Sequence, residues 1–226
     1  MAREMLVEQE YLSYTGTFSR PIFKLWAQGG VILEGLYDAL SPFGVKFADF
    51  RLEGNAVAAT DVGITATYSN RGTQSFRFDR VECKFFNIDS PFFESVPSIL
   101  EATRSWLRQT VPTFKFASHQ FTYMCHSRLK DASAIEMLQT MTPTKSNAAG
   151  IEQGKGLIFH WLVPARKWEA HLILDRSTVV NDAMYLAFTL TTTSDESTYQ
   201  ALAAQGREYL VAVLKDLGFQ YPSPTP

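Results

Sequence analysis

The stretch Leu157–Leu174 reads LIFHWLVPARKWEAHLIL, with two apolar runs on either side of a polar turn. If the turn is centred on Ala165 and Arg166, Leu157 lies opposite Leu174. In the ladder between the two strands, apolar residues then pair with one another on one side. Alternation of this kind is typical of strands that have one buried face. The stretch therefore predicts an antiparallel hairpin with one face in the core.

The same register decides what lies on the other face of the hairpin. It places His160 directly opposite His171, with Glu169 as their neighbour on that face. Side chains that are directly opposite have Cβ atoms ~5 Å apart, so two imidazoles can bind one Zn²⁺, and Glu169 could add a third ligand. Two neutral imidazoles can equally lie side by side in solvent or share a hydrogen bond. Both interpretations stay open from the sequence.

Outside the hairpin, the order of predicted elements repeats. Residues 8–112 are predicted to run strand, helix, three strands, helix, and residues 114–219 repeat that order. Sequence identity is slight and clearest where Phe18-Ser19-Arg20-Pro21 matches His126-Ser127-Arg128-Leu129. The pattern predicts a single domain built of two pseudo-repeats. Its class is α+β, with a curved, mainly antiparallel sheet of about eight strands and helices packed chiefly on one side.

Capping residues and prolines give the predicted boundaries of the helices. These are a first helix over Pro21–Leu40, a second beginning at Asp89-Ser90-Pro91, a third capped by Asp131, and a fourth from Ser194-Asp195-Glu196 to Gly218. A change of apolar phase near Asp79 and Arg80 predicts a β-bulge. Thr142–Gly156 is predicted to be an irregular loop. It is not predicted to be a phosphate loop, because a strand follows it, whereas a phosphate loop is followed by a helix.

Arg20 and Arg128 occupy matching places in the two halves, where a strand is predicted to give way to a helix. Arginines close to the N–H groups of a helix N-terminus can hold a phosphate or a carboxylate. Alternatively, each long side chain covers the end of the sheet or pairs with a surface acid. The sequence makes both residues candidates for ligand binding and leaves these alternatives open.

The remaining histidines and the cysteines lack a catalytic pattern. His119 and His126 lie on the predicted strand that opens the second half, in opposite phases, so an unbulged strand directs them to different faces. Cys83 and Cys125 are predicted to be reduced core thiols. The sequence contains no nucleophile elbow, zinc-protease helix, paired CxxC or dinucleotide-binding glycine motif. No cofactor is predicted, and an enzyme is the least supported class.

Composition and charge restrict the partners. The net charge of −2 gives no electrostatic footprint for nucleic acid or an anionic membrane. Acids near the N-terminus argue against a secretory signal, and Lys24, Glu34 and Asp38 interrupt the longest apolar helical stretch. These features predict a cytoplasmic protein that does not span a membrane.

Two functions are therefore weighed ahead of catalysis. Aromatic residues make up 13% of the chain, and a sheet covered by helices on one side leaves a face for a small, partly apolar ligand held in a cavity or groove. Charged residues are only 19%, below the usual quarter, which favours burial of that face in a homodimer. A metal-dependent enzyme that uses His160 and His171 is a weaker alternative.

Overall fold

The computed structural model describes residues 2–26, 29–53, 62–68, 71–87, 90–141, 156–194 and 197–222. The predicted loop Thr142–Gly156 lies outside the described residues except for Gly156. Asp89, Asp195 and Glu196, predicted at helix starts, also lie outside them.

The described residues form both strands and helices, and several strands follow one another without a helix between them. The strands are β1 (Arg3–Phe18), β2 (Phe50–Glu53), β3 (Gly63–Tyr68), β4 (Gly72–Arg77), β5 (Arg80–Phe86), β6 (Phe116–Leu129), β7 (Leu157–Val163), β8 (Trp168–Arg176), β9 (Met184–Thr192) and β10 (Phe219–Gln220). The helices are α1 (Phe23–Trp26), α2 (Gly29–Leu40), α3 (Ser90–Thr110), α4 (Ala134–Met141) and α5 (Tyr199–Asp216).

The strands form one sheet whose hydrogen-bonded neighbours follow the order β2-β3-β4-β5-β1-β6-β9-β8-β7. The pairs β2–β3, β3–β4, β4–β5 and β7–β8 are antiparallel, and β10 runs parallel to the start of β1. The predicted α+β class with a large, mainly antiparallel sheet is therefore confirmed. Over the residues that the structure describes, the sheet has 10 strands, more than the eight predicted. The internal duplication stays a prediction.

The chain divides into two compact units that do not coincide with the predicted repeats. Unit 1 comprises Met1–Tyr11, Thr122–Leu190 and Ala204–Pro226, and unit 2 comprises Leu12–Phe121 and Thr191–Ala203. Strands β1, β6 and β9 and helix α5 each contribute to both units. The prediction of a single domain over residues 1–226 is not tested by this division.

The core of unit 2 lies between its strands and α3. Phe76 of β4 is fully buried, and its ring meets the ring of Trp106 on α3 at 5.6 Å between centroids. Helix α2 packs on the other side of Trp106, where the indole lies against Gly35 so closely that a Cβ there would clash. Any side chain at position 35 would thus push α2 away from α3.

The core of unit 1 lies under the part of α5 that belongs to it. Tyr209 of α5 has its ring 6.3 Å from that of Trp161 on β7 and 6.2 Å from that of Phe188 on β9. On β8 the alternate residues Trp168, Ala170, Leu172 and Leu174 are all buried. The hairpin β7–β8 therefore directs one face to the core, as its sequence predicts.

Where the first half was predicted to contain a β-bulge, the chain reverses. Strand β4 ends at Arg77 and β5 begins at Arg80, with Phe76 opposite Val81. The apolar phase changes near Asp79 because two antiparallel strands bury residues on a common side, so the β-bulge prediction is wrong.

Three helix boundaries differ from the prediction. The first helical stretch begins at Phe23. Ser133 rather than Asp131 caps α4, because its hydroxyl accepts the N–H of Glu136 at 3.3 Å. Thr198 caps α5, its hydroxyl accepting the N–H of Ala201 at 3.2 Å. In both caps a hydroxyl satisfies an N–H that has no partner within the helix.

Candidate functional site

The predicted register of the β7–β8 hairpin is confirmed. Leu157 lies opposite Leu174, Val163 opposite Trp168 and His160 opposite His171. The turn is longer than predicted, because Pro164–Arg166 form a 3₁₀ turn and Lys167 adopts a left-handed conformation at φ 55°. Proline cannot donate a ladder hydrogen bond, so pairing stops before it.

The two histidines meet on the face turned away from the core. Their ring centroids are 4.4 Å apart and the ring planes are inclined at 70°. His160 is exposed and His171 is partly exposed. Two imidazole groups are thus in contact at the surface, where both can be reached by a ligand.

Apolar side chains surround this pair. Leu162 is 70% exposed, Ile158 63% and Ile173 36%. These residues alternate with half-buried ones along β7 and with buried ones along β8, so they share the face that carries the histidines. We call the residues of this surface the hairpin face: Ile158, His160, Leu162, Glu169, His171 and Ile173.

Glu169 does not complete a metal site within one chain. It lies opposite Leu162 on the hairpin face and is exposed. In the part of the chain that the structure describes, no group of three or more histidine, cysteine or acidic side chains could hold a metal ion. Within the described part of one chain, Glu169 is therefore not grouped with His160 and His171 as a third ligand, and ligand binding by these residues stays a prediction.

The two candidate arginines have different surroundings. Arg20 is exposed and donates a hydrogen bond to the hydroxyl of Thr113. Arg128 lies inside β6 rather than at a helix start, and its guanidinium is 3.6 Å from the carboxylate of Glu8. Of the two interpretations of Arg128, pairing with a surface acid fits these contacts. Anion binding by either arginine stays a prediction.

A buried polar cluster in unit 2 contains His119. The hydroxyl of Tyr14 lies 2.9 Å from Nδ1 of His119 and 2.7 Å from the hydroxyl of Tyr199. Burial raises the pKa of Tyr14 well above its ordinary value, so its phenol stays neutral. Because the three side chains are buried, these contacts place His119 in the core of unit 2.

Arg104 closes this cluster on the side of α3. Its guanidinium lies 4.5 Å from the centre of the Tyr199 ring, where it makes a cation–π contact. It also donates to the Glu101 carboxylate and, at 2.9 Å, to the carbonyl of Ser197. The buried charge is therefore compensated by several partners, as burial of a guanidinium requires.

In unit 1 a serine and a histidine are hydrogen-bonded, but the serine is not arranged as a nucleophile. Oγ of Ser177 lies 2.9 Å from Nδ1 of His126 and accepts the N–H groups of Val179 and Val180 at 3.2 and 2.9 Å. Both lone pairs are thus occupied by backbone N–H groups, which leaves the hydroxyl proton for the bond to His126 when Nδ1 is unprotonated. This pair holds the turn that follows β8.

A lowered pKa of His126 gives a testable pH dependence. Burial lowers this pKa below the ordinary histidine value of ~6.5. At a pH below ~6.5, the unfolded chain therefore binds the proton more readily than the folded chain does. The contribution of His126 to stability is therefore constant above that pH and decreases as the pH falls below it. We expect urea unfolding at pH 7.5 and 5.5 to show a larger loss for the wild type than for His126→Gln. Equal losses would contradict this assignment.

Cys125, the cysteine of unit 1, is a buried thiol of low reactivity. Burial raises the pKa of Cys125 to about 12, which keeps it a thiol at neutral pH. Nearby, one oxygen of Glu10 accepts hydrogen bonds from the hydroxyls of Tyr123 and Tyr221 at 2.7 and 2.9 Å. Cys83 in unit 2 is also buried and free. The prediction of reduced core thiols is confirmed.

Comparison with known proteins assigns no class to this chain. No protein-family model matches it, and no curated protein is significantly similar to it in sequence. Among the described residues, no helix is both long and apolar enough to cross a membrane. The function must therefore be argued from the surfaces and side chains described above.

Proposed function

We propose that this protein is a self-associating interaction protein and that the hairpin face is its contact surface. The observation that carries the proposal is the exposure of Leu162 and Ile158, which are 70% and 63% exposed on one face of one strand. Apolar side chains that cluster at a surface and are rimmed by polar groups are typical of interaction sites. The partner we propose is a second copy of the chain.

The charge pattern favours a second copy. Strand β7 contains no charged residue, and the two acids on the outer side of the hairpin, Glu169 and Asp175, both lie on β8. Two identical faces that meet through β7 about a two-fold axis, in which each copy presents the same residues, therefore do not bring like charges into the centre of the contact. Sheet edges that must stay monomeric usually carry lysine, proline or inward-pointing charges, which β7 lacks along Leu157–Val163.

The size of the surface limits its strength. Stable interfaces bury ~800 Å² on each partner, and apolar burial contributes roughly 25 cal/mol per Å² before the cost of association is subtracted. Ile158, Leu162 and Ile173 supply only the apolar centre of such a contact. We therefore expect association to be weak for the chain alone and to depend on concentration.

Leu162→Asp and Ile158→Asp are expected to abolish self-association. A carboxylate in the centre of the contact is desolvated without a partner, at a cost of several kcal/mol. Sedimentation velocity over a range of protein concentrations measures the effect. The matched control is Leu52→Asp, because Leu52 is 74% exposed on β2, the strand at the opposite end of the sheet order. Association that survives both hairpin substitutions, or that Leu52→Asp abolishes equally, would overturn the proposal.

The second candidate is the binding of a small, partly apolar molecule. One observation favours it: the ring of His126 lies 5.3 Å from that of Tyr185 and 6.2 Å from that of Tyr11, and both tyrosines are partly exposed. Amphipathic rings around an imidazole suit a ligand that has both apolar and polar parts. Native mass spectrometry of the purified chain tests it, and a spectrum without any bound species would count against it.

A further inference from the structure

The hairpin face presents two neighbouring imidazoles, half the number of ligands that a closed zinc site takes. Two nitrogens bound to one tetrahedral Zn²⁺ at 2.0–2.1 Å lie ~3.3 Å apart. The imidazoles of His160 and His171 have centroids 4.4 Å apart and planes inclined at 70°, so a rotation of the side chains is needed to bring one nitrogen of each ring to that spacing. Residues directly opposite on antiparallel strands also hold their Cβ atoms at a fixed separation, which preorganises the pair.

One chain cannot complete this site. Closed zinc sites have four protein ligands, and in the described part of the chain no third histidine, cysteine or acid joins the two imidazoles. A second copy that packs through the same face brings a second pair of imidazoles to the two-fold axis. Together the two pairs supply four nitrogen ligands, which is the number that tetrahedral Zn²⁺ takes.

We infer that two copies of the chain bind one Zn²⁺ between their hairpin faces, through His160 and His171 of each copy. This inference rests on the proposed function, because it needs the two faces to meet. A shared metal ion would also supply binding affinity that the small apolar surface does not provide. Ile158, Leu162 and Ile173 are too few for a strong interface, and metal–ligand bonds add the missing affinity.

The chemistry of the pair selects the class of metal. Neutral imidazole suits Zn²⁺, Cu²⁺ and Ni²⁺, whereas Mg²⁺ and Ca²⁺ prefer oxygen ligands. Zn²⁺ is the probe of choice because it has no redox chemistry and accepts a tetrahedral arrangement. Mg²⁺ at the same concentration is the control ion.

The experiment is sedimentation velocity on the full, untagged chain after removal of metal with EDTA and buffer exchange. Adding ZnCl₂ is expected to convert monomer into dimer with one zinc per two chains, measured by elemental analysis of the isolated dimer, and MgCl₂ is expected to have no effect. His160→Ala and His171→Ala are each expected to weaken the zinc-dependent association by at least roughly tenfold, because each removes two of four ligands from the dimer. Leu52→Ala is the control, because Leu52 is 74% exposed on β2, outside the hairpin face, and this variant is expected to behave as wild type.

The outcomes separate this inference from the proposed function. A dimer that forms equally with and without zinc, and that Leu162→Asp abolishes, supports the contact surface and overturns the shared metal site. Zinc bound at one per chain without dimerisation also overturns the shared site. A chain that stays monomeric at all concentrations, with and without zinc, overturns both. Thermal melts of each variant verify that the histidine substitutions leave the fold intact, as their surface position leads us to expect.

Discussion

Replacing Phe76 by alanine is expected to lower the free energy of unfolding by about 3–5 kcal/mol. Phe76 is fully buried in unit 2, and its ring packs against three other aromatic rings. The centroid of its ring lies 5.9 Å from that of Phe18, 5.9 Å from that of Trp26 and 5.6 Å from that of Trp106. Truncation removes apolar area and leaves a cavity that these large rings cannot fill without moving. Trp106 is held from behind by α2 at Gly35, so the site can collapse only in part.

Phe86→Ala is the matched control, because Phe86 lies on the adjacent strand β5 and is 40% exposed. Its truncation is expected to cost less than about 1.5 kcal/mol, since Phe86 is partly exposed to solvent and loses less buried area than Phe76 does. Guanidinium unfolding followed by circular dichroism measures both variants. A loss below about 1.5 kcal/mol for Phe76→Ala would show that this ring is not the packing centre of unit 2.

The β7–β8 hairpin was predictable from sequence because both of its signals are local. Alternation along Leu157–Val163 and Trp168–Leu174 determines which side chains face the core, and a one-residue slip would move them all to solvent. That constraint also determined the contact between His160 and His171. The exposure of Ile158 and Leu162 was less accessible to sequence reasoning, because it depends on what covers the far face.

The β4–β5 hairpin shows where such reasoning failed. A bulge and a chain reversal both change the phase of apolar residues. Among the usual turn residues, the short segment between Arg77 and Arg80 contains only Asp79, without glycine, proline or asparagine beside it. The structure decides between them, because Phe76 and Val81 are paired across two strands. The pairing partner, which is a tertiary feature, was the missing information.

The surroundings of His119 were beyond the sequence for a different reason. Tyr14 precedes His119 by 105 positions and Tyr199 by 185, so no spacing along the chain relates the three residues. One signal was present: Leu12, Tyr14 and Phe18 share a phase on β1 that is buried from Leu12 to Phe18. A tyrosine in such a phase must place its hydroxyl against a polar partner in the core, although its identity could not be predicted.

Tyr14→Phe is expected to lower the free energy of unfolding by about 1–3 kcal/mol. The substitution keeps the ring and its contact with Phe121, at 4.9 Å between centroids. It removes the hydroxyl that hydrogen-bonds to both His119 and Tyr199, so each of those buried groups loses one hydrogen bond. The loss is large for a single oxygen atom because the three side chains have almost no access to water that could replace it.

A double-mutant cycle with Tyr199→Phe makes this prediction specific. The two hydroxyls are 2.7 Å apart, so the double variant is expected to lose less stability than the sum of the single variants, with a coupling energy of about 0.5–3 kcal/mol. Tyr37→Phe is the control, because Tyr37 is at the surface and its substitution should stay within about 0.5 kcal/mol. Urea unfolding of the four proteins and the control measures the cycle. Strictly additive losses would mean that the two hydroxyls act independently, and the hydrogen-bonded cluster around His119 would then not be what stabilises this part of unit 2.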